Sequence, residues 1–118
     1  MVSEYVPDAG DIVFLDFDPQ VGREQAKRRP ALVLTDLRYN RASGLAVVCP
    51  LTSRVSKVKP YPFALPITVG SVDGAVLVDQ LKSMDWKGRG AEFHAKAPAI
   101  LVAKVRQYIA VLLQIPVR

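Results

Sequence analysis

The sequence predicts a mostly β domain, a small antiparallel barrel with one helix at its C-terminus. Apolar runs of four to seven residues alternate with turn signals between residues 12 and 94. The connections between these runs are too short for the long crossovers that a parallel sheet needs. From residue 99 the apolar residues recur at helical spacing instead, and neither glycine nor proline interrupts them up to residue 114.

The first three strands are each bounded by turn residues. Asp18-Pro19 closes the first, and Ser43-Gly44, with Asn40 before it, precedes the third. Pro30 marks the start of the second, because a residue without a backbone donor fits the first position of a strand and not its middle. We predict these strands at residues 12–17, 31–35 and 45–51.

Three further strands are predicted at residues 63–68, 75–80 and 91–94. Pro62 and Pro66 indicate that the first of these is an edge strand or is bent. Asp73-Gly74 is a strong hairpin signal and should start the strand at 75–80.

The C-terminal helix is predicted from Ala99 to Gln114, with Pro98 near its start and Pro116 just beyond its end. One stripe of this helix is apolar, and further apolar residues widen it: Leu101, Val105, Tyr108 and Leu112, then Ile100, Ile109, Val111 and Leu113. A helix this apolar has two things to pack against, the sheet and a second subunit.

Length and charge fit one domain, residues 1–118, that attracts polyanions. The chain has 118 residues, of which 50% are hydrophobic, with 16 Lys and Arg against 11 Asp and Glu. Residues 1–18 contain five acids and no base, so the other 100 residues carry all 16 bases and six acids. This imbalance indicates a nucleic-acid partner, whereas the simpler interpretation is a solvated cationic surface.

Several classes of site are excluded by residue counts. With one cysteine, Cys49, and one histidine, His94, the chain has no internal disulfide, and neither a structural zinc site nor a two-histidine ribonuclease is expected. Cys49 lies in an apolar run and is expected in the core. We find no Walker-type phosphate loop, secretory signal or membrane span, and expect a cytoplasmic protein without metal or cofactor.

Few polar residues remain as candidates for chemistry. Arg28 and Arg29 lie where an apolar strand begins, Glu24 lies just before them, and Thr52-Ser53 ends the third strand. A threonine there can donate to a phosphate oxygen, but a strand end bonded to nearby backbone is favoured. Asp16 and Asp18 share one face, and we interpret them as a strand-end turn.

Aromatic residues accompany the bases. Tyr39 follows Arg38, Trp86 precedes Lys87, and Tyr61 and Phe63 follow Lys57 and Lys59. Alternating cations and rings suit single-stranded nucleic acid, whose bases stack on rings while phosphates meet charges. At least one of Phe63 and Trp86 is expected in the core instead.

At these residues the chain resembles the MazF/PemK family of bacterial toxin ribonucleases. The resemblance covers nearly the whole chain, and its specificity lies in the order and spacing of short blocks. These are Tyr5-Val6-Pro7-Asp8, Gly10-Asp11, Asp16-Phe17-Asp18-Pro19, Glu24-Gln25-Ala26, Arg29-Pro30-Ala31, Tyr39-Asn40, Tyr61-Pro62-Phe63, Asp73-Gly74, Asp79-Gln80 and Lys82-Ser83.

The resemblance implies an SH3-like barrel, a homodimer and a sequence-specific, metal-independent endoribonuclease that cleaves single-stranded RNA, chiefly mRNA. Its products would be a 2′,3′-cyclic phosphate and a free 5′-hydroxyl. The matching catalytic positions are Arg29 and Thr52, with Glu24 at an acidic position also implicated in activity. The resemblance also implies a cognate antitoxin whose acidic tail occupies the RNA-binding groove.

An RNA-binding surface is expected around these residues. It comprises Lys27, Arg28, Ser53, Arg54, Lys57, Lys59, Tyr61, Gln80, Lys82 and Arg89. The segment 54–59 varies within the family, so the recognised RNA sequence does not carry over to this chain.

Two other classes remain open from the residues. One is a non-catalytic gyrase inhibitor of the CcdB type, which resembles this family in fold. The other is a barrel that binds nucleic acid without cleaving it. The combination of Glu24, Arg29-Pro30 and Thr52 favours the ribonuclease.

Overall fold

The computed structural model describes residues 4–17, 28–52 and 63–116. They form seven strands, two α-helices and a 3-10 turn at Val78–Gln80. The strands are β1 (Asp11–Asp16), β2 (Arg28–Val33), β3 (Leu45–Thr52), β4 (Ala64–Val69), β5 (Val72–Leu77), β6 (Lys82–Asp85) and β7 (Glu92–Lys96). The helices are α1 (Leu37–Ser43) and α2 (Ala99–Leu113). The predicted mostly β fold with a C-terminal helix is confirmed.

The strands form one curled antiparallel sheet in the order β4-β5-β3-β2-β1-β7, with β6 added to β3. β3 changes partners at Pro50. Its earlier residues pair with β6 and β2, whereas Leu51 and Thr52 pair with β5. Proline has no N–H for a ladder, so it suits the point where one neighbouring strand leaves and another arrives.

The central residues of β1, β2 and β3 are buried on both faces. The face toward α2 includes Ile12, Leu32 and Cys49, which pack in one cluster with Val102 and Val105. The opposite face carries a second cluster, here called the inner cluster: Val13, Leu15, Ala31, Val33, Ala46, Val48, Met84 and Trp86. Burial on two faces explains why these strands are continuous apolar runs rather than alternating ones.

A short helix, α1, occupies the region where Asn40 and Ser43-Gly44 predicted only a turn. Asp36 caps its start by accepting a 3.1 Å hydrogen bond from the Tyr39 N–H, and Gly44 ends it at φ 76°. The helix has seven residues, so hydrophobic periodicity could not reveal it, although both capping residues are visible in the sequence.

The β4–β5 hairpin exists, but its turn is not where the sequence predicted. The turn is at Gly70-Ser71, and Gly70 supplies the positive φ of 59°. Asp73 and Gly74 lie inside β5, opposite Thr68 and Ile67, so their assignment to a turn was wrong. The Thr68 hydroxyl donates to the Asp73 carboxylate at 3.0 Å, which satisfies this acid across the strand pair.

Strand boundaries also differ from prediction. Pro30 is the third residue of β2 and not its first. The last pair between β2 and β3 is Ala31–Pro50, so Pro30 has no β3 partner to which it would have to donate. The predicted strand at 75–80 ends at Leu77, and the four-residue β6 was not predicted.

The C-terminal helix agrees with prediction to within one residue. Val102 and Val105 pack in the core against the sheet, and Ala110 is also buried. Other apolar side chains of this region are largely exposed: Ile100 (79%), Val111 (68%), Leu113 (55%) and Ile115 (51%). Neither described helix has the length and apolar character needed to cross a membrane.

Candidate active site at the ends of strands β2 and β3

Arg29 is the second residue of β2 and lies opposite Leu15 of β1. Paired residues project to the same face of a sheet, so Arg29 lies on the face of the inner cluster, at its margin. Its side chain is exposed. Within residues 4–17, 28–52 and 63–116, no side chain or carbonyl binds its guanidinium group. This arginine therefore presents its donors to solvent.

Thr52 ends β3 and pairs with Ala75 of β5. Residues 50 and 52 lie on the same face of β3, and Pro50 pairs with Ala31 of the inner cluster. Beyond that pair β2 and β3 separate, with Arg29 two residues along one strand and Thr52 two residues along the other. The structure thus brings two predicted catalytic residues to one face, at neighbouring strand ends.

Lys82 opens β6 on this same face. It pairs with Val48, four residues before Thr52 on β3, or about 13 Å along the strand. Its Nζ lies 5.6 Å from the centroid of the Phe17 ring, within cation–π range. Gln80, also a predicted RNA-binding residue, ends the 3-10 turn just before β6 and is exposed.

Phe17 is a residue of this surface that sequence reasoning did not select. It follows β1 directly and packs at the edge of the inner cluster while keeping partial exposure. An aromatic residue at the end of a strand, next to two acids, was the available signal. The Phe17 ring lies beside the Lys82 cation, and such a pair lets a base stack on the ring while its phosphate meets the charge.

Arg28, the neighbour of Arg29, has a different environment. It lies opposite Asp16 and its Nη1 contacts the Asp16 carboxylate at 3.3 Å. Its Nη2 lies within hydrogen-bonding distance of the Phe14 carbonyl (3.0 Å), the Gly90 carbonyl (2.5 Å) and the Glu92 carboxylate (3.2 Å). The guanidinium group therefore links β1, β2, β7 and the turn before β7.

Arg89 lies at the same end of β1. Its Nη1 donates to the Asp16 carbonyl at 3.2 Å and also to the Phe17 carbonyl, while its own carbonyl accepts from the Asp16 N–H at 2.9 Å. Arg28 and Arg89 were both predicted to bind RNA. In the structure both donate hydrogen bonds to other groups of this chain at the end of β1.

Seven of the predicted site residues lie outside the described residues. They are Glu24, Lys27, Ser53, Arg54, Lys57, Lys59 and Tyr61. Their predicted roles stay predictions.

The cysteine and the histidine lie apart from Arg29 and Thr52. Cys49 is fully buried in the α2-facing core, where burial and then the charge of Asp79 raise the pKa of its thiol to about 12. His94 packs edge-on against Phe14 and accepts from the Ser71 N–H at 3.2 Å. Among the described residues, no group of three or more His, Cys, Asp or Glu could hold a metal ion.

Comparison with known proteins agrees with the fold. A family model for PemK-like, MazF-like toxins of type II toxin–antitoxin systems matches residues 8–113. The chain belongs to this family.

Alignments with individual relatives cover most of this toxin's length. The endoribonuclease toxin MazF of Escherichia coli K12 is 46% identical over 91 residues, which cover 77% of this chain and 79% of that protein. The endoribonuclease PemK of E. coli is 32% identical over 108 residues, covering 90% and 81%.

Solved structures show the same fold. Crystalline MazF of Deinococcus radiodurans has a TM-score of 0.83 and 48% identity, covering 95% of this toxin and all of that chain. A MazE–MazF complex from the same organism has a TM-score of 0.84 and 46% identity over the same shares. The barrel expected from the family resemblance is therefore confirmed.

Proposed function

We propose that this toxin is a metal-independent endoribonuclease that cleaves single-stranded RNA at the margin of the inner cluster, with Arg29 and Thr52 as catalytic residues. The observation that carries the proposal is the exposed Arg29 guanidinium, unengaged by any described residue, on the same face as Thr52. Relatives at 46% and 32% identity carry the name endoribonuclease, which supports the same reaction class.

In the proposed reaction the RNA 2′-oxygen forms a bond to the adjacent phosphorus, and the bond from phosphorus to the 5′-oxygen breaks. The 2′-hydroxyl proton goes to a base, and the 5′-oxygen gains a proton from an acid or from water. The products are a 2′,3′-cyclic phosphate and a free 5′-hydroxyl. The leaving group is an alkoxide, so proton transfer to it accompanies bond breaking.

Arg29 supplies the positive charge at phosphorus in this scheme. Its planar fork of N–H groups matches two non-bridging oxygens, and the negative charge that develops on them strengthens these bonds. The Thr52 hydroxyl donates to a phosphate oxygen. Arginine remains protonated in proteins, so it does not act as the base. We propose that Glu24, or solvent, accepts the 2′-hydroxyl proton.

The RNA would follow the surface that continues from Arg29 toward Phe17 and Lys82. There a base can stack on the ring while the cation meets a phosphate. The further contacts proposed are Lys27, Ser53, Arg54, Lys57, Lys59, Tyr61 and Gln80. Cleavage of mRNA would inhibit translation and arrest growth. Because mRNA is translated in the cytoplasm, we propose that the toxin acts there.

The direct test is incubation of the toxin with a long single-stranded RNA in EDTA. Discrete fragments with cyclic-phosphate ends are expected. Arg29→Ala should slow cleavage by on the order of 100-fold or more, as for loss of one transition-state donor, and Thr52→Ala by roughly 10- to 100-fold. Arg41→Ala, which removes an exposed arginine from α1, is the matched control and should cleave normally.

Other outcomes of this assay would decide against the proposal. Intact RNA together with arrested gyrase would identify a CcdB-type inhibitor, and a gel shift without cleavage would identify a binding barrel. Wild-type rates in Glu24→Gln would remove Glu24 as the base and leave solvent.

We also propose that two copies of the toxin associate through the exposed apolar side of α2. Ile100 and Val111 lie on one line of this helix, and neither packs against the described core. Val111→Glu should convert a dimer to a monomer in light scattering, whereas Arg41→Glu on α1 should not. A dimeric Val111→Glu protein would place the interface elsewhere.

The partner proposed from the family is a cognate antitoxin. MazE is bound to MazF in the related Deinococcus complex. An acidic antitoxin tail would compete with RNA for the cationic surface that contains Arg29 and Lys82. Loss of RNA cleavage on addition of the antitoxin, restored by excess RNA, is the expected result.

A further inference from the structure

Two adjacent arginines of β2 have opposite surroundings. Arg29 faces solvent on the side of the inner cluster, whereas Arg28 projects to the other face and contacts Asp16 and Glu92. Strand alternation alone produces this division, because consecutive side chains point to opposite faces. The two cations therefore need not share a role.

The contacts of Arg28 make it a poor site for a phosphate. Two carboxylates lie at 3.3 and 3.2 Å from its guanidinium nitrogens, so this small group carries a net negative charge. Its N–H groups are also directed to the carbonyls of Phe14 and Gly90. A phosphate that approached Arg28 would meet the carboxylates and would have to displace bonds that the protein already makes.

These same contacts hold the end of β1 and the start of β2. Arg28 reaches across to β1 and β7, and Arg89 binds the carbonyl of Asp16, which ends β1, and the carbonyl of Phe17, which follows it. Gly90 belongs to this arrangement, since a Cβ atom there would lie 3.2 Å from Arg28 Nη1. Arg29 immediately follows Arg28, so whatever fixes Arg28 also fixes the point from which Arg29 extends.

We propose that Arg28 and Arg89 are positioning residues, which clamp the ends of β1 and β2 and so orient Arg29, and that neither binds RNA. This inference rests on the proposed ribonuclease function. According to this inference, residue 28 must be an arginine because of the forked geometry of its N–H donors and not because of its charge.

The test separates charge from geometry with Arg28→Lys and Arg28→Met. Lysine keeps the positive charge but is a point donor that cannot reproduce the fork. Both variants should lower kcat by on the order of 10- to 100-fold, the cost of a small misplacement of a catalytic group. Affinity for a fluorescent 2′-O-methyl RNA, which cannot be cleaved, should stay within about twofold of wild type, with an unchanged slope of log affinity against log salt.

Gly90→Ala probes the same clamp without altering any charge. The new methyl group should shift the Arg28 guanidinium by a few tenths of an ångström and so lower kcat in the same direction. Gly44→Ala is the matched control: Gly44 also has a positive φ, 76° against 67° for Gly90, but a Cβ there meets no atom within 4 Å. It carries backbone strain alone and should keep the wild-type kcat.

Arg89→Lys and Arg89→Met extend the test to the second arginine. Both should lower kcat while leaving RNA affinity and its salt slope unchanged. Circular dichroism and thermal melts identify any variant that fails to fold. If the Arg28 variants do not fold, Gly90→Ala serves as the test of the role of Arg28.

Two results would overturn the inference. One is a wild-type kcat in Arg28→Lys. The other is a weaker affinity in Arg28→Met or Arg89→Met with a salt slope lower by about 0.7, which is the mark of a lost phosphate contact on a single strand. The binding measurements do not need cleavage, so a wild-type toxin that binds but does not cut would contradict the proposed function separately.

Discussion

The indole N–H of Trp86 donates a 2.9 Å hydrogen bond to the backbone carbonyl of Asn40. This bond joins the turn that follows β6 to the middle of α1, and both residues are buried. Trp86 belongs to the inner cluster, whose exposed margin carries Arg29. A single bond thus connects the short helix to the core beneath the candidate site.

Trp86→Phe should destabilise the fold by about 1–3 kcal/mol, because it removes one of the two hydrogen bonds that the Asn40 carbonyl accepts and leaves a smaller side chain in a packed site. The free energy of unfolding from urea titration measures this change. Phe93→Leu, at a side chain that is 51% exposed, is the control and should cost much less. Equal losses in the two variants would show that the Asn40 bond has no special weight.

Replacing Asn40 by aspartate, its closest isostere, should strongly destabilise the fold. Its Nδ2 donates to the carbonyls of Pro7 and Thr35, each at 2.8 Å, and its Oδ1 accepts from the Thr35 hydroxyl at 2.6 Å. Asn40→Asp replaces both donors by an acceptor and buries a charge, which should cost about 3 kcal/mol or more. Urea midpoints measured at pH 5 and pH 8 check this, and the loss should be greater at pH 8, where the carboxylate is more fully ionised.

Two glycines with positive φ should respond differently to alanine. A Cβ on Gly70 would lie 2.6 Å from His94 Nε2, whereas a Cβ on Gly44 meets no atom within 4 Å. Gly44→Ala should therefore cost about 1 kcal/mol of backbone strain, and Gly70→Ala should cost more because His94 must move. Adding His94→Ala to Gly70→Ala should restore part of the difference in thermal stability. A double variant no more stable than the sum of the single losses would contradict this contact.

The fold should lose stability as the solution becomes alkaline. In the folded chain the pKa of Cys49 is raised to about 12, and burial, followed by the hydrogen bond to Asp11, also raises the pKa of Tyr5. Both groups are neutral when protonated, so the folded state holds these protons more tightly than the unfolded chain. Their contribution is complete below the unfolded values of about 8.5 and 10, and it is lost as pH rises through the folded values.

Urea titrations between about pH 8 and pH 11 test this dependence. Cys49→Ala and Tyr5→Phe should each flatten the decline of the free energy of unfolding with pH, whatever they do to stability at pH 7. Tyr108→Phe provides the control for removing a phenol, since Tyr108 lies on α2 and contacts Phe63 through its ring. An unchanged slope in both variants would show that neither group titrates on unfolding.

Local patterns in the sequence were enough for the long elements and for the two candidate arginines at the start of β2. Continuous apolar runs predicted β1, β2 and β3, and an uninterrupted 3.6-residue period predicted α2. Arg28 and Arg29 became candidates because both lie where a buried strand begins, and the family resemblance then singled out Arg29 as the catalytic residue. The structure exposes it to solvent on the same face as Thr52, and its catalytic role stays a proposal.

Only the tertiary structure decided where short elements and turns lie. The four residues of β6 and the seven of α1 are too short for a periodic signal, and Asp73-Gly74 became part of β5 because cross-strand pairing outweighed their turn preference. The same holds for the distinction between Arg28 and Arg29. The two residues are adjacent in the sequence and carry the same charge. Only the strand register places carboxylates around Arg28 and exposes Arg29 to solvent.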